Sequence, residues 1–91
     1  MIGNSFKIRN MWTEKNDALH AELKFDDFKS AFSFMTEVAF WAESMNHHPN
    51  WSNVYNTINI SLTTHDANNT VTDKDRALAN KIESIYNRTK T

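Results

Sequence analysis

The chain has 91 residues, with ten Lys and Arg against eleven Asp and Glu, a formal net charge of −1 and no cysteine. That length supports one small core and leaves no room for a second, so residues 1–91 read as a single domain. Balanced, interspersed charge argues against nucleic acid as a direct partner, and the missing cysteines exclude disulfides, thiolate metal sites and cysteine nucleophiles.

The first residues, MIGNSFKIRN, lack the apolar run of a signal peptide. Nothing approaches the roughly 18 apolar residues of a membrane span, so a cytoplasmic protein with no membrane partner is expected. One glycine and one proline are few for a chain this long. Turns must therefore use Asn and Asp, which tolerate left-handed backbone, and Asn68-Asn69 is the expected place.

From Phe6 to Trp12 apolar and polar residues alternate loosely, with Phe6, Ile8 and Trp12 on one side. Glu14 to Asp17 reads as a turn. Leu19, Ala21, Leu23 and Phe25 then alternate with His20, Glu22 and Lys24, which predicts a strand with one buried face and a solvated His20. Asp26 or Asp27 can cap a helix running to about Met45. Its apolar stripe is Phe28, Ala31, Phe32, Met35, Val38, Ala39 and Ala42. Phe34, Phe40 and Trp41 fall outside it and predict a second covered surface, read as an oligomer interface in preference to a broad intramolecular core.

Pro49 stops the chain from continuing as helix. Val54 to Thr63 reads as one long strand, with Val54, Ile58, Ile60 and Leu62 on the core side. Carried two residues further, the alternation brings His65 out on the polar side. Thr72 and the acids after it open a final helix whose stripe is Leu78, Ile82 and Ile85; Asp75 is expected to help cap it. The result is an α+β domain, an antiparallel sheet with helices packed on one face. The order is β-β-α-β-α, with room for a further short strand before the long third one.

The chemistry concentrates in "ESMNHHPNWSNVYN", Glu43 to Asn56. Histidine titrates near neutral pH, so adjacent histidines can be a proton-handling site, a metal site or a surface accident. Glu43 and His47 are four apart and share a face if the helix reaches that far, so the carboxylate would orient the ring. His48 must point elsewhere, and Pro49 makes the corner stiff. His65 lies in a Thr-Thr-His-Asp turn where Thr64 and Asp66 can orient it. Diverging neighbours make poor ligands for one ion, which disfavours metal. The single glycine, Gly3, excludes a glycine-rich phosphate loop.

Glu43, the His47-His48-Pro49 run, Tyr55 five residues later and His65 after nine more resemble the pattern of the pterin-4a-carbinolamine dehydratases. "FDDFKSAFSFMTEVAFWAE", "HHPNWSNVYNTINISLTTHD" and "TDKDRALANKIE" are similar to that family's first helix, central segment and last helix, and Trp12 to a tryptophan after its first strand. The loop after His65 departs from it, with Asn68-Asn69 where the family usually has glycine and one residue fewer. The resemblance implies dehydration of 4a-hydroxytetrahydropterins to quinonoid dihydropterin, which recycles the cofactor of aromatic amino acid hydroxylases. That reaction requires no metal, nucleotide or redox cofactor. By the same likeness His47 and His65 are the acid/base pair and Glu43 orients His47. His48 binds the pterin, with Pro49, Trp12, Trp51, Tyr55, Thr64 and Asp66 as pocket walls or supports, although plain core packing fits Trp51 and Tyr55 equally well. The resemblance further implies a homodimer or homotetramer, and as an alternative function a non-catalytic protein-binding module that uses the exposed helix surface.

Overall fold

The structure, a computed structural model, describes residues 11–90, so the alternation over Phe6–Asn10 lies outside the described residues. The first described strand is β1, Thr13–Lys15, followed by β2, Ala18–Lys24. The turn predicted over Glu14–Asp17 is shorter than that. Glu14 and Lys15 pair with Leu19 and Ala18, and the reversal falls on Asn16 and Asp17, both left-handed (φ 54° and 62°). A two-residue hairpin needs positive φ at its centre, and Asn and Asp supply it without glycine.

Helix α1, Phe28–Ser44, starts where Asp27 accepts a 2.7 Å hydrogen bond from the Ser30 N–H. Its buried face is Ala31, Phe34, Val38 and Ala42: three of these belong to the predicted stripe, while Phe34 takes the place expected of Phe28 and Phe32. Both sets fit helical spacing. What selects the observed one is Phe34, whose ring lies 5.0 Å from Phe25 and 6.0 Å from Tyr86, an aromatic cluster that sequence spacing does not reveal. Phe28, Phe32 and Phe40 are left exposed.

The long strand predicted over Val54–Thr63 begins only at Thr57, as β4 (Thr57–Leu62), and the further short strand allowed for before it is β3 (Asn50–Val54). The chain reverses at Tyr55 and Asn56, with Tyr55 left-handed (φ 52°) and Val54 paired with Thr57. Asn53 holds this tip by donating to the carbonyls of Tyr55 and Thr57, and Asn56 ties it to the backbone of Phe25. Val54 is therefore 74% exposed, while Ile58, Ile60 and Leu62 keep their predicted side.

The sheet runs β1-β2-β4-β3, all antiparallel. Leu19, Ala21 and Leu23 stand opposite Leu62, Ile60 and Ile58, so one face of the central pair is apolar. That face packs with α1 and with helix α2, Asp73–Lys90, through Leu78, Ala79, Ile82 and Ile85 in one continuous core. The architecture is the expected α+β sheet with helices on one side. Between β4 and α2, a one-turn 3-10 helix over His65–Ala67 is followed by left-handed Asn68 and Asn69 (φ 60° and 58°), the predicted pair.

Candidate active site

The histidine corner is built by the end of α1. Asn46 turns left-handed (φ 54°). Its N–H donates to the Glu43 carbonyl, and the His47 N–H reaches back to the Ala42 carbonyl at 3.0 Å. This pair of bonds is a Schellman closure, with Asn in the place glycine usually takes. It swings His47 off the helix surface, so the expected Glu43–His47 pairing does not form.

His47 instead points inward to the start of α2. Its Nε2 lies 2.5 Å from Asp75 Oδ1, with the His47 side chain 10% exposed and that of Asp75 fully buried. The other carboxylate oxygen, Oδ2, accepts from the Thr64 hydroxyl at 2.7 Å and the Thr72 N–H at 2.8 Å. Burial pushes the Asp75 carboxyl up, but hydrogen bonds from His47, Thr64 and Thr72 together with the His47 charge outweigh it and leave it below the usual carboxylate value. Asp75 is thus both a cap of α2, as expected, and the partner of His47, which sequence spacing did not suggest.

Glu43 pairs with the neighbouring histidine, His48, at 2.9 Å and in solvent. His65 opens the 3-10 turn, with Nδ1 2.7 Å from Asn69 Oδ1. An amide oxygen only accepts, so Nδ1 carries the proton and Nε2 is the ring nitrogen left for other contacts. The left-handed Asn69 therefore also orients His65.

His47, His48 and His65 line one open cleft of about 560 Å³ with Pro49, Thr64 and Asp66. Lys74 joins them from the first turn of α2, a lining residue the sequence reading missed. The cleft does not include Trp12, Trp51 or Tyr55. Trp12 packs on the core beside Leu19 and Arg76, its indole N–H buried without a hydrogen-bond partner among the described residues. Trp51 leans on the core from β3, and Tyr55 stands exposed at the hairpin tip. Three imidazoles facing one space, each with one ring nitrogen held by an accepting oxygen, can deliver and remove protons on a single bound molecule. Among the described residues no three His, Asp or Glu side chains converge as ligands for an ion. No described helix is long and apolar enough to cross a membrane.

A family model described as pterin 4 alpha carbinolamine dehydratase matches residues 3–85. A Solibacter usitatus protein is 51% identical over 84 residues, covering 92% of this chain and 87% of its own. A Christiangramia forsetii protein is 50% identical over 88 residues, covering 97% and 90%. Both carry the provisional name pterin-4-alpha-carbinolamine dehydratase. Among solved structures, a transcriptional coactivator/pterin dehydratase from Brucella melitensis superposes with a TM-score of 0.82 at 34% identity, over 93% of this chain and 92% of that one. A pterin dehydratase-like RuBisCO assembly factor of the alpha-carboxysome shares the fold, with a TM-score of 0.68 at 20% identity over 82% and 86%.

Proposed function

The chain belongs to the pterin-4a-carbinolamine dehydratase family, and on that premise we propose that it dehydrates a 4a-hydroxytetrahydropterin to the quinonoid dihydropterin and water, in recycling of a tetrahydropterin cofactor. The observation that carries this reading is the convergence of His47, His48 and His65 on one cleft. In the reaction the C4a–O bond breaks, the departing oxygen takes up a proton and the ring nitrogen system gives one up. Both transfers suit imidazole at neutral pH. His47, anchored by Asp75, and His65, anchored by Asn69, are the acid/base pair. His48, oriented by Glu43, binds the pterin, and Pro49 and Asp66 border it. The test follows the decay of the 4a-hydroxy intermediate with and without protein. His47→Ala is expected to reduce the enzymatic rate by roughly a hundredfold or more, the usual worth of general acid/base catalysis, with the fold intact. A near-normal rate in that variant removes His47 from the role.

A second observation supports assembly with further copies of this chain. Lys29, Phe32, Thr36, Phe40 and Glu43 form an exposed stripe on α1, opposite the core-facing residues. The spacing, three, four, four and three, is symmetric about Thr36. A two-fold axis through Thr36 sets two α1 helices antiparallel, with Phe32 opposite Phe40 and Lys29 opposite Glu43 across the copies. Phe40, 73% exposed, is then covered. Trp41 is not needed for this, since Lys81 Nζ sits 3.9 Å from its ring centroid within the chain. Lys29→Glu is expected to lower the mass measured by sedimentation, and adding Glu43→Lys to restore it. A monomeric wild-type protein, or an unchanged mass in Lys29→Glu, rejects this assembly.

A further inference from the structure

Thr64 and the Thr72 N–H meet the Asp75 carboxylate at Oδ2, the oxygen that His47 does not take. Thr64 is buried, and its Oγ1 is 2.7 Å from Asp75 Oδ2 and 2.7 Å from Thr72 Oγ1. Thr72 Oγ1 is in turn 3.3 Å from the Lys74 N–H. Each hydroxyl has one proton to give, and an ionised carboxylate only accepts. With Asp75 ionised, the protons have one consistent arrangement. The Lys74 N–H donates to Thr72, the Thr72 hydroxyl donates to Thr64, and the Thr64 hydroxyl donates to Oδ2. His47 Nε2–H donates to Oδ1. His47 Nδ1 makes no hydrogen bond among the described residues, so it is the nitrogen free to exchange protons with a molecule in the cleft.

This chain of hydroxyls does more than fill space. Every donor on a carboxylate disperses part of its charge, and less of that charge is then left to stabilise a proton on the partner ring. We propose that Thr64, oriented by Thr72, is a positioning residue that sets how strongly Asp75 retains a proton on His47. Its hydroxyl thereby acts on catalysis through Asp75 and not by touching the pterin. The inference rests on His47 being the proton-transfer group. Other charges near the ring are His48 and its partner Glu43 at the end of α1, His65 and Asp66 from the 3-10 turn, and Lys74 from α2. None of these is altered by removing the Thr64 hydroxyl.

The experiment compares Thr64→Val with Thr64→Ser. The first keeps the shape and deletes the donor; the second restores it. In Thr64→Val the titration of His47, followed by its ring resonances, is expected to move to higher pH. At neutral pH kcat is expected to fall about fivefold, the rate worth of one hydrogen bond, and to recover as the pH is raised, with KM changed less than about twofold. Thr64→Ser returns both readouts to wild type. Should Thr64→Val fail to fold, Thr72→Val at its half-buried position carries the same readouts in the same direction. An unmoved His47 titration in the folded variant overturns the proposal, and so does a shift that serine does not reverse. The titration is read in the free protein, so it decides this point even if wild-type protein fails to dehydrate a pterin, the result that would reject the proposed reaction.

Discussion

His47 and His48 are neighbours in the chain, and each has a carboxylate partner, yet the two pairs are physically unlike. The His47–Asp75 pair spans 28 residues, at 2.5 Å, with side-chain exposures of 10% and 0%. The His48–Glu43 pair spans five, at 2.9 Å, with exposures of 61% and 82%. Two charges 4 Å apart attract by about 1 kcal/mol in water and about four times that where the effective dielectric is near 20. Exposed side chains also lose rotamer freedom to hold a pair, and salt screens them. Nearness in sequence has therefore produced the weaker contact. The stronger one depends on tertiary structure bringing the start of α2 against the end of α1, which makes His47 part of the fold and leaves His48 adjustable.

The sharpest way to break this contrast is Asp75→Asn. The amide keeps the shape but presents N–H to a donor on one side, whichever way it is turned, because His47, Thr64 and Thr72 all donate to the carboxylate. A loss of about 3 kcal/mol in unfolding free energy is expected, together with most of the activity. The effect has a defined pH sense. The folded Asp75 carboxyl lies below its unfolded value, so between those values the unfolded chain binds more protons and stability rises with pH. Its contribution is complete above the ordinary carboxylate range and is lost as pH falls through the folded value. The gap between wild type and Asp75→Asn, followed by denaturation at a series of pH values, should therefore begin to narrow near pH 4 and close only below the folded value. Some acid sensitivity will persist in the variant, because Asp27 is also held low by the Ser30 N–H. A gap of constant size across that range would show that Asp75 is not the group titrating.

The same contrast explains what the sequence could and could not reveal. Signals carried by one residue and its immediate neighbours were legible. Asp27 caps α1, Asn68 and Asn69 take left-handed backbone, and the alternation of Ile58, Ile60 and Leu62 gives the core side of β4 and leads His65 out of it. Signals that depend on another element were not. The β3–β4 reversal was hidden because its left-handed residue is Tyr55, where no Asn-Gly or Gly marks a turn, and the tip is held by Asn53 and by the backbone of Phe25. Phe34 was assigned to the wrong face because two stripes fit the helical period equally well. Glu43 matched His47 by helical arithmetic, but the left-handed Asn46 ends that arithmetic one residue before the histidine. Trp12, Trp51 and Tyr55 entered the expected pocket through family likeness; Trp12 and Trp51 pack against the core, the alternative left open for Trp51, and Tyr55 stands at the exposed hairpin tip.

The smallest effect lies with the exposed pair, and it tests the comparison from the other side. Glu43→Gln removes a charge and keeps a hydrogen-bonding group beside His48, so the expected stability change is within about 0.5 kcal/mol and diminishes further with salt. Activity should change mainly through KM, because His48 is proposed to bind substrate. Glu43 also lies on the stripe centred at Thr36, where an antiparallel partner would bring Lys29 to it. Association would withdraw Glu43 from water and make its charge matter more. Measured by denaturation over a range of protein concentration, the cost of Glu43→Gln should therefore stay near zero for the dissociated chain and grow as chains associate. A cost comparable to that of Asp75→Asn in the dissociated chain would contradict the exposed geometry of the pair and erase the distinction between the two histidines.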